Sequence, residues 1–237
     1  SRFSVRGGGF SMKSLLVLLI VGLVGIAQAG EYKSSLLVQP GEMRESDLIV
    51  RNITDLDSKK TCLAFYIRTS GTSPVIRCYD AVSGFGATLS QVGHIKADDL
   101  IIRKLEDTKN NMSCLVTYIS TPGTSPAVHC YLNKQRFKDH MLQAGHLREG
   151  DLEIRRIVDP GNLQTCLVAY VKTKGTSPSV VCYDSQAASK GGLYQSSELK
   201  EGDLVVRKIV DNANRKACLV TYVSTAGTST HVYCFDE

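Results

Sequence analysis

The sequence has no tryptophan, only 6 prolines and 4 methionines, and 7% aromatic residues. A core built without Trp and with little Met must be filled by aliphatic side chains, and the branched ones among them favour strands. The short catalytic motifs are missing as well: there is no Gly-x-Ser-x-Gly, no His-Glu-x-x-His and no phosphate-cradling glycine loop. These absences remove the common signatures of serine hydrolases, zinc proteases and nucleotide-binding enzymes, so the chain is expected not to be an enzyme. Close Cys-x-x-Cys pairs, typical of structural zinc sites, are absent too. His94 and His146 share a Gln-x-Gly-His setting, but Glu42 and Glu198 stand at the matching positions. That pattern reads as a surface polar position, and neither a metal nor a cofactor is expected.

Long apolar runs are limited to one. Leu15 to Ile26 follows Lys13 and precedes Ala27-Gln28-Ala29, the layout of a secretory signal peptide over residues 12–29, cleaved after Ala29. At about 12 residues the run falls short of the roughly 20 needed to span a bilayer, so no transmembrane anchor is expected. Residues 1–11 read as a non-native upstream extension. Arg2, Arg6 and Lys13 precede the cleavage point, so 28 basic residues become 25 against 23 acidic ones, a net charge of +2. So small an excess speaks against a nucleic-acid partner. The expected location is secreted and extracellular.

Against these absences stands a strict internal repeat. The eight cysteines, Cys62, Cys78, Cys114, Cys130, Cys166, Cys182, Cys218 and Cys234, are separated alternately by 16 and 36 positions, a period of 52. Within that period Asp-Leu-x-x-Arg, Cys-Leu-x-x-Tyr, Gly-Thr-Ser and Cys-aromatic recur four times. The units are placed at 30–87, 88–139, 140–191 and 192–237. An even cysteine count in a secreted chain implies a disulfide framework. Folding Cys62 to Cys78 as a hairpin about Ser70 sets Cys62 opposite Cys78 and Ala64 opposite Ile76. The same folding pairs 114 with 130, 166 with 182 and 218 with 234. Each bond is worth about 3 kcal/mol in the chain-entropy account.

Period-two alternation predicts three clear strands and one weaker one per unit; in the second unit they lie near 89–96, 100–105, 112–121 and 126–131. Both faces of the cysteine strand are apolar, so each small sheet must be covered on both sides. The expected fold is all-β: four tandem 52-residue repeats of three to four antiparallel strands. A four-bladed propeller-like ring is the favoured assembly and a linear array of stacked sheets the alternative. Helix is expected only in the leader and around 134–142.

Four groups of residues are candidates for function. The hairpin tips, Thr69, Gly71, Thr72 and Ser73, Thr121, Gly123, Thr124 and Ser125, Thr173, Gly175, Thr176 and Ser177, and Thr225, Gly227, Thr228 and Ser229, offer repeated hydroxyls suited to a glycan or extracellular polymer held multivalently. The same residues are what a tight hairpin turn selects. The pairs Asp47 and Arg51, Asp99 and Arg103, Asp151 and Arg155, and Asp203 and Arg207 have their members about 13 Å apart on one strand face. They are therefore expected to form structural ion pairs with other segments, against a reading in which Arg51, Arg103, Arg155 and Arg207 and their neighbours form a positive ring. The repeated Tyr66, Tyr118, Tyr170 and Tyr222 belong to the cysteine face and are expected in the core. Two sequons, Asn52 and Asn111, are N-glycosylation candidates. Three roles follow as expectations: a secreted multivalent binding module, a structural extracellular protein prone to self-association, or an inhibitor or effector using the loop 131–142 with Lys134, Arg136 and Lys138.

Overall fold

The structure, a computed structural model, describes residues 37–81, 87–134, 141–185 and 191–237. The upstream extension, the signal peptide, Arg136 and Lys138 lie outside the described residues. So does most of the segment around 134–142 expected to be helical.

Each repeat is one antiparallel sheet whose strands are paired in chain order. The first contains β1 (Leu37–Glu45), β2 (Leu48–Asp55), β3 (Lys60–Ile67) and β4 (Val75–Asp80). The second contains β5 (Leu89–Ala97), β6 (Leu100–Asp107), β7 (Met112–Ile119) and β8 (Ala127–Leu132). The third contains β9 (Leu142–Glu149), β10 (Leu152–Asp159), β11 (Gln164–Val171) and β12 (Ser179–Asp184). The fourth contains β13 (Leu193–Glu201), β14 (Leu204–Asp211), β15 (Lys216–Val223) and β16 (His231–Asp236). A single 3-10 turn at Pro160–Asn162 is the one helical element among the described residues.

Local chemistry explains the meander. The first two strands of every sheet are joined by a two-residue turn whose first residue is left-handed: Ser46, Asp98, Gly150 or Gly202. That backbone suits the right-handed twist of the strands it joins. The motif aspartates Asp47, Asp99, Asp151 and Asp203 occupy the second turn position. The hairpin between the third and fourth strands brings each cysteine pair into direct register, Cys62 with Cys78, Cys114 with Cys130, Cys166 with Cys182 and Cys218 with Cys234. All four are bonded, and none of the cysteines is free.

Alternation gives each sheet a cysteine face and a leucine face, and the sheets stack leucine face on cysteine face. Leu63, Phe65 and Ile67 of sheet 1 form one core with Cys114, Val116 and Tyr118 of sheet 2. Leu115 and Ile119 of sheet 2 do the same with Cys166, Val168 and Tyr170 of sheet 3. Leu167, Ala169 and Val171 of sheet 3 complete the series with Cys218, Val220 and Tyr222 of sheet 4.

Among the described residues no apolar cluster joins sheet 4 to sheet 1. Apolar side chains on the faces that a ring would bring together are exposed instead: Leu204, Leu219 and Tyr233 at one end are 46%, 38% and 70% exposed, and Ile76 at the other is 53% exposed. Of the two assemblies that the sequence allowed, the molecule has the linear stack, not the favoured ring. Each of the three apolar clusters is shared by two consecutive sheets, and the exposed apolar side chains of the first and last faces have no facing sheet among the described residues.

Candidate functional site

The tips lie along one edge of the stack. Gly71, Gly123, Gly175 and Gly227 all have φ near +80°, from 78° to 85°. In that conformation the threonine that follows turns its hydroxyl back into its own hairpin. Thr72 Oγ1 donates to the Ile67 carbonyl at 2.9 Å, Thr124 to Ile119 at 2.7 Å, Thr176 to Val171 at 2.6 Å and Thr228 to Val223 at 2.8 Å. The same hydroxyls also reach the carbonyls of Thr69, Thr121, Thr173 and Thr225. The serines tie one tip to the next: Ser73 N–H donates to Ser125 Oγ at 2.9 Å and Ser125 N–H to Ser177 Oγ at 2.8 Å. Ser177 and Ser229 form a parallel bridge. A Cβ on Gly71 would come within 3.3 Å of Gly123 Cα, so these tips approach backbone to backbone. The hydroxyls of Thr72, Thr124, Thr176 and Thr228 hold their hairpins, and those of Ser125 and Ser177 join neighbouring tips.

The Asp-x-x-x-Arg residues lie near the same edge and also work between sheets. Tyr118 of sheet 2 donates to Asp47 of sheet 1 at 2.8 Å, and Tyr222 of sheet 4 to Asp151 of sheet 3 at 3.2 Å. Arg155 reaches Asp98 of the preceding sheet at 3.1 Å, while Arg51 and Arg207 pair within their own sheets with Glu42 and Glu198 at 3.0 and 3.2 Å. Arg103 donates to the Tyr118 hydroxyl at 3.0 Å. Arg103, Lys104, Arg155 and Arg156 are buried, so they do not form a positive surface. Asp99 faces the cleft described below and Asp203 the open turn of sheet 4. Tyr118, Tyr170 and Tyr222 are buried, and Tyr66 on the open end of sheet 1 is half-buried beneath Arg51.

A second set of inter-sheet contacts lies at the opposite ends of the strands. The aromatic after the second cysteine donates to an acid of the next sheet: Tyr79 to Asp107 at 2.7 Å, Tyr131 to Asp159 at 2.9 Å and Tyr183 to Asp211 at 2.7 Å. Burial, reinforced by these carboxylates, pushes the three phenols well above their ordinary range. Lys104 pairs with Asp159 at 2.7 Å and Arg156 with Asp211 at 2.8 Å. The last unit has Phe235 where the others have Tyr, and the first has Asn52 where the others have a long cation. Asn52 is 1% exposed between sheets 1 and 2, where a glycan has no room; of the two sequons, Asn111 is the exposed one.

One asymmetric cluster escaped the sequence reading. Glu153 is buried in the third sheet where the other units have Ile49, Ile101 and Val205. Tyr170 donates to it at 2.6 Å; Lys172 lies at 2.6 Å, Arg155 at 3.2 Å and His146 at 3.3 Å. Burial alone would raise this carboxyl, but the bonds from Lys172 and Tyr170 and the charge of Arg155 overcome it and hold the pKa at about 2. Tyr170 is pushed up to about 12 by burial and by its bond to Glu153. Beside the cluster, at the tip edge between sheets 2 and 3, is a cleft of about 360 Å³ lined by Asp98, Asp99, Thr121, Tyr170, Lys172 and Lys174. The broken repeat at position 153 was the signal available. The described residues contain no group of His, Cys, Asp and Glu arranged to hold a metal ion.

These features define a class: a disulfide-pinned, all-β repeat module in which polar motif residues join one sheet to the next. No family model matches the chain, and neither the curated proteins nor the solved structures contain a match to it. Its four disulfides are compatible with a secreted module, and no described helix is long and apolar enough to cross a membrane.

Proposed function

We propose that this chain is a secreted, non-enzymatic structural module of an extracellular assembly, in which the repeats serve stiffness and self-association. One contrast carries the reading. The Gly-Thr hydroxyls that a multivalent sugar site would use are bonded within their own hairpins, whereas among the described residues Leu204, Leu219 and Tyr233 stand exposed on the outer face of sheet 4 and Ile76 on that of sheet 1. Repeat proteins that stay monomeric normally close their ends with polar outer faces. Repeated polar residues engaged in sheet-to-sheet contacts fit a structural role better than chemistry at one centre.

Sedimentation of the mature chain over a wide concentration range tests this. Growth of the mean mass with concentration is expected, and a constant monomer mass sinks the reading. A second reading, the multivalent binding module, draws support from the cleft beside Lys172 and Lys174 instead of from the tips. A glycan array probed with wild type and Lys174→Ala separates the two: a flat array leaves the structural reading alone, and binding lost with Lys174 favours the second.

A further inference from the structure

The open ends of the stack carry the two halves of the contact that is made three times inside it. On the outer face of sheet 4, Leu204, Leu219, Val223 and Tyr233 are exposed. Their counterparts one repeat earlier, Leu152, Leu167, Val171 and Val181, pack into the core against sheet 4. At the other end sheet 1 exposes Ile76 and half-exposes Tyr66, while the matching Val128 and Tyr118 are buried against sheet 1.

Building on the structural role proposed above, we infer that the outer face of sheet 4 of one copy docks on the outer face of sheet 1 of a second copy, head to tail, as sheet follows sheet within the chain. The polar links are left open in the matching sense. Lys208 stands where Lys104 and Arg156 reach the next aspartate, and Asp55 stands where those aspartates receive them. In a single copy Lys208 turns to Glu237 at 3.4 Å. Ser229 N–H and Ser73 Oγ are the unfilled donor and acceptor of the tip ladder that runs from Ser73 to Ser125 to Ser177. Tyr66 occupies the position from which Tyr118 and Tyr222 reach back to Asp47 and Asp151, and Asp203 is the corresponding acceptor. One link is absent, because Phe235 has no hydroxyl to give to Asp55. The junction between copies lacks that link and a connecting segment of chain, so it is reversible. A contact between two different faces does not close on itself at two copies, so it propagates into open filaments.

Leu219→Glu and Ile76→Glu test the inference, since both side chains lie on exposed faces and the fold can be checked by disulfide mapping. Each variant is expected to self-associate at least about tenfold more weakly than wild type in sedimentation. An equimolar mixture of the two is expected to give dimers and nothing larger, because one intact pair of faces remains. Wild-type-like growth of either variant, or a mixture that stays monomeric, overturns the head-to-tail contact while leaving a self-associating module in place. A wild-type chain that remains monomeric at every concentration overturns the structural role together with the contact.

Discussion

Asn52 shows how much one side chain matters in a stack. Its amide nitrogen and oxygen are buried without hydrogen-bond partners, as are the hydroxyls of Thr54 and Thr61 nearby. A buried polar group left unmatched costs about 1–3 kcal/mol. Asn52→Leu is therefore expected to stabilise the protein by about 1 kcal/mol, read as a higher denaturation midpoint. Glu153 has the opposite character, a buried charge fully supplied with partners. Its folded pKa of about 2 lies below the ordinary 4.5. A depressed carboxyl contributes stability that is complete above its unfolded pKa and is lost as pH falls toward the folded one. Unfolding between pH 4.5 and 2 should accordingly show a loss of stability that is much reduced in Glu153→Gln. That variant is also less stable at neutral pH, because Lys172 and Arg155 lose their anion. An unchanged acid limb in the variant would place the pH sensitivity elsewhere.

Among elements, the strands and their disulfides were legible in the sequence. A period of two, a hairpin of fixed length and a cysteine at each matching position determine register, and β7 and β8 lie within two residues of the segments expected for them. The assembly of the sheets was less legible, because the bonds that set it join residues of different repeats, 28 to 57 positions apart: Ser73 with Ser125, Arg155 with Asp98, Tyr183 with Asp211. The repeat motif records that such residues recur but not which neighbour they address. Two departures from the repeat did mark the ends: Phe235 in place of Tyr, and Ser58 in place of Asn110, Asn162 and Asn214. Tyr183→Phe, which gives the third unit the residue of the fourth, is expected to cost about 2 kcal/mol by removing a bond to a buried charge. Phe235→Tyr should leave the stability of the monomer unchanged. Thermal unfolding of the pair compares an inner position with an outer one using a single oxygen atom.

For the whole molecule, nearest-neighbour packing makes a sharp claim about dissection. Each core belongs to two consecutive sheets, so stability is close to a sum of unit and junction contributions. Deleting residues 192–237 should leave three folded repeats with three disulfides, less stable by one junction but still cooperative. A ring would instead lose two contacts and open. Retained strand content in circular dichroism, with three bonds by mass mapping, is the expected outcome, and a collapsed, exchange-labile product would contradict the stack.

The left-handed residue that begins each two-residue turn gives every unit a self-contained fold, and the common pair of faces gives every unit the same address for its neighbour. Length is consequently a free variable of this architecture: duplicating one 52-residue block in the gene should extend the protein by one layer, about 10 Å, without asking any existing layer to rearrange.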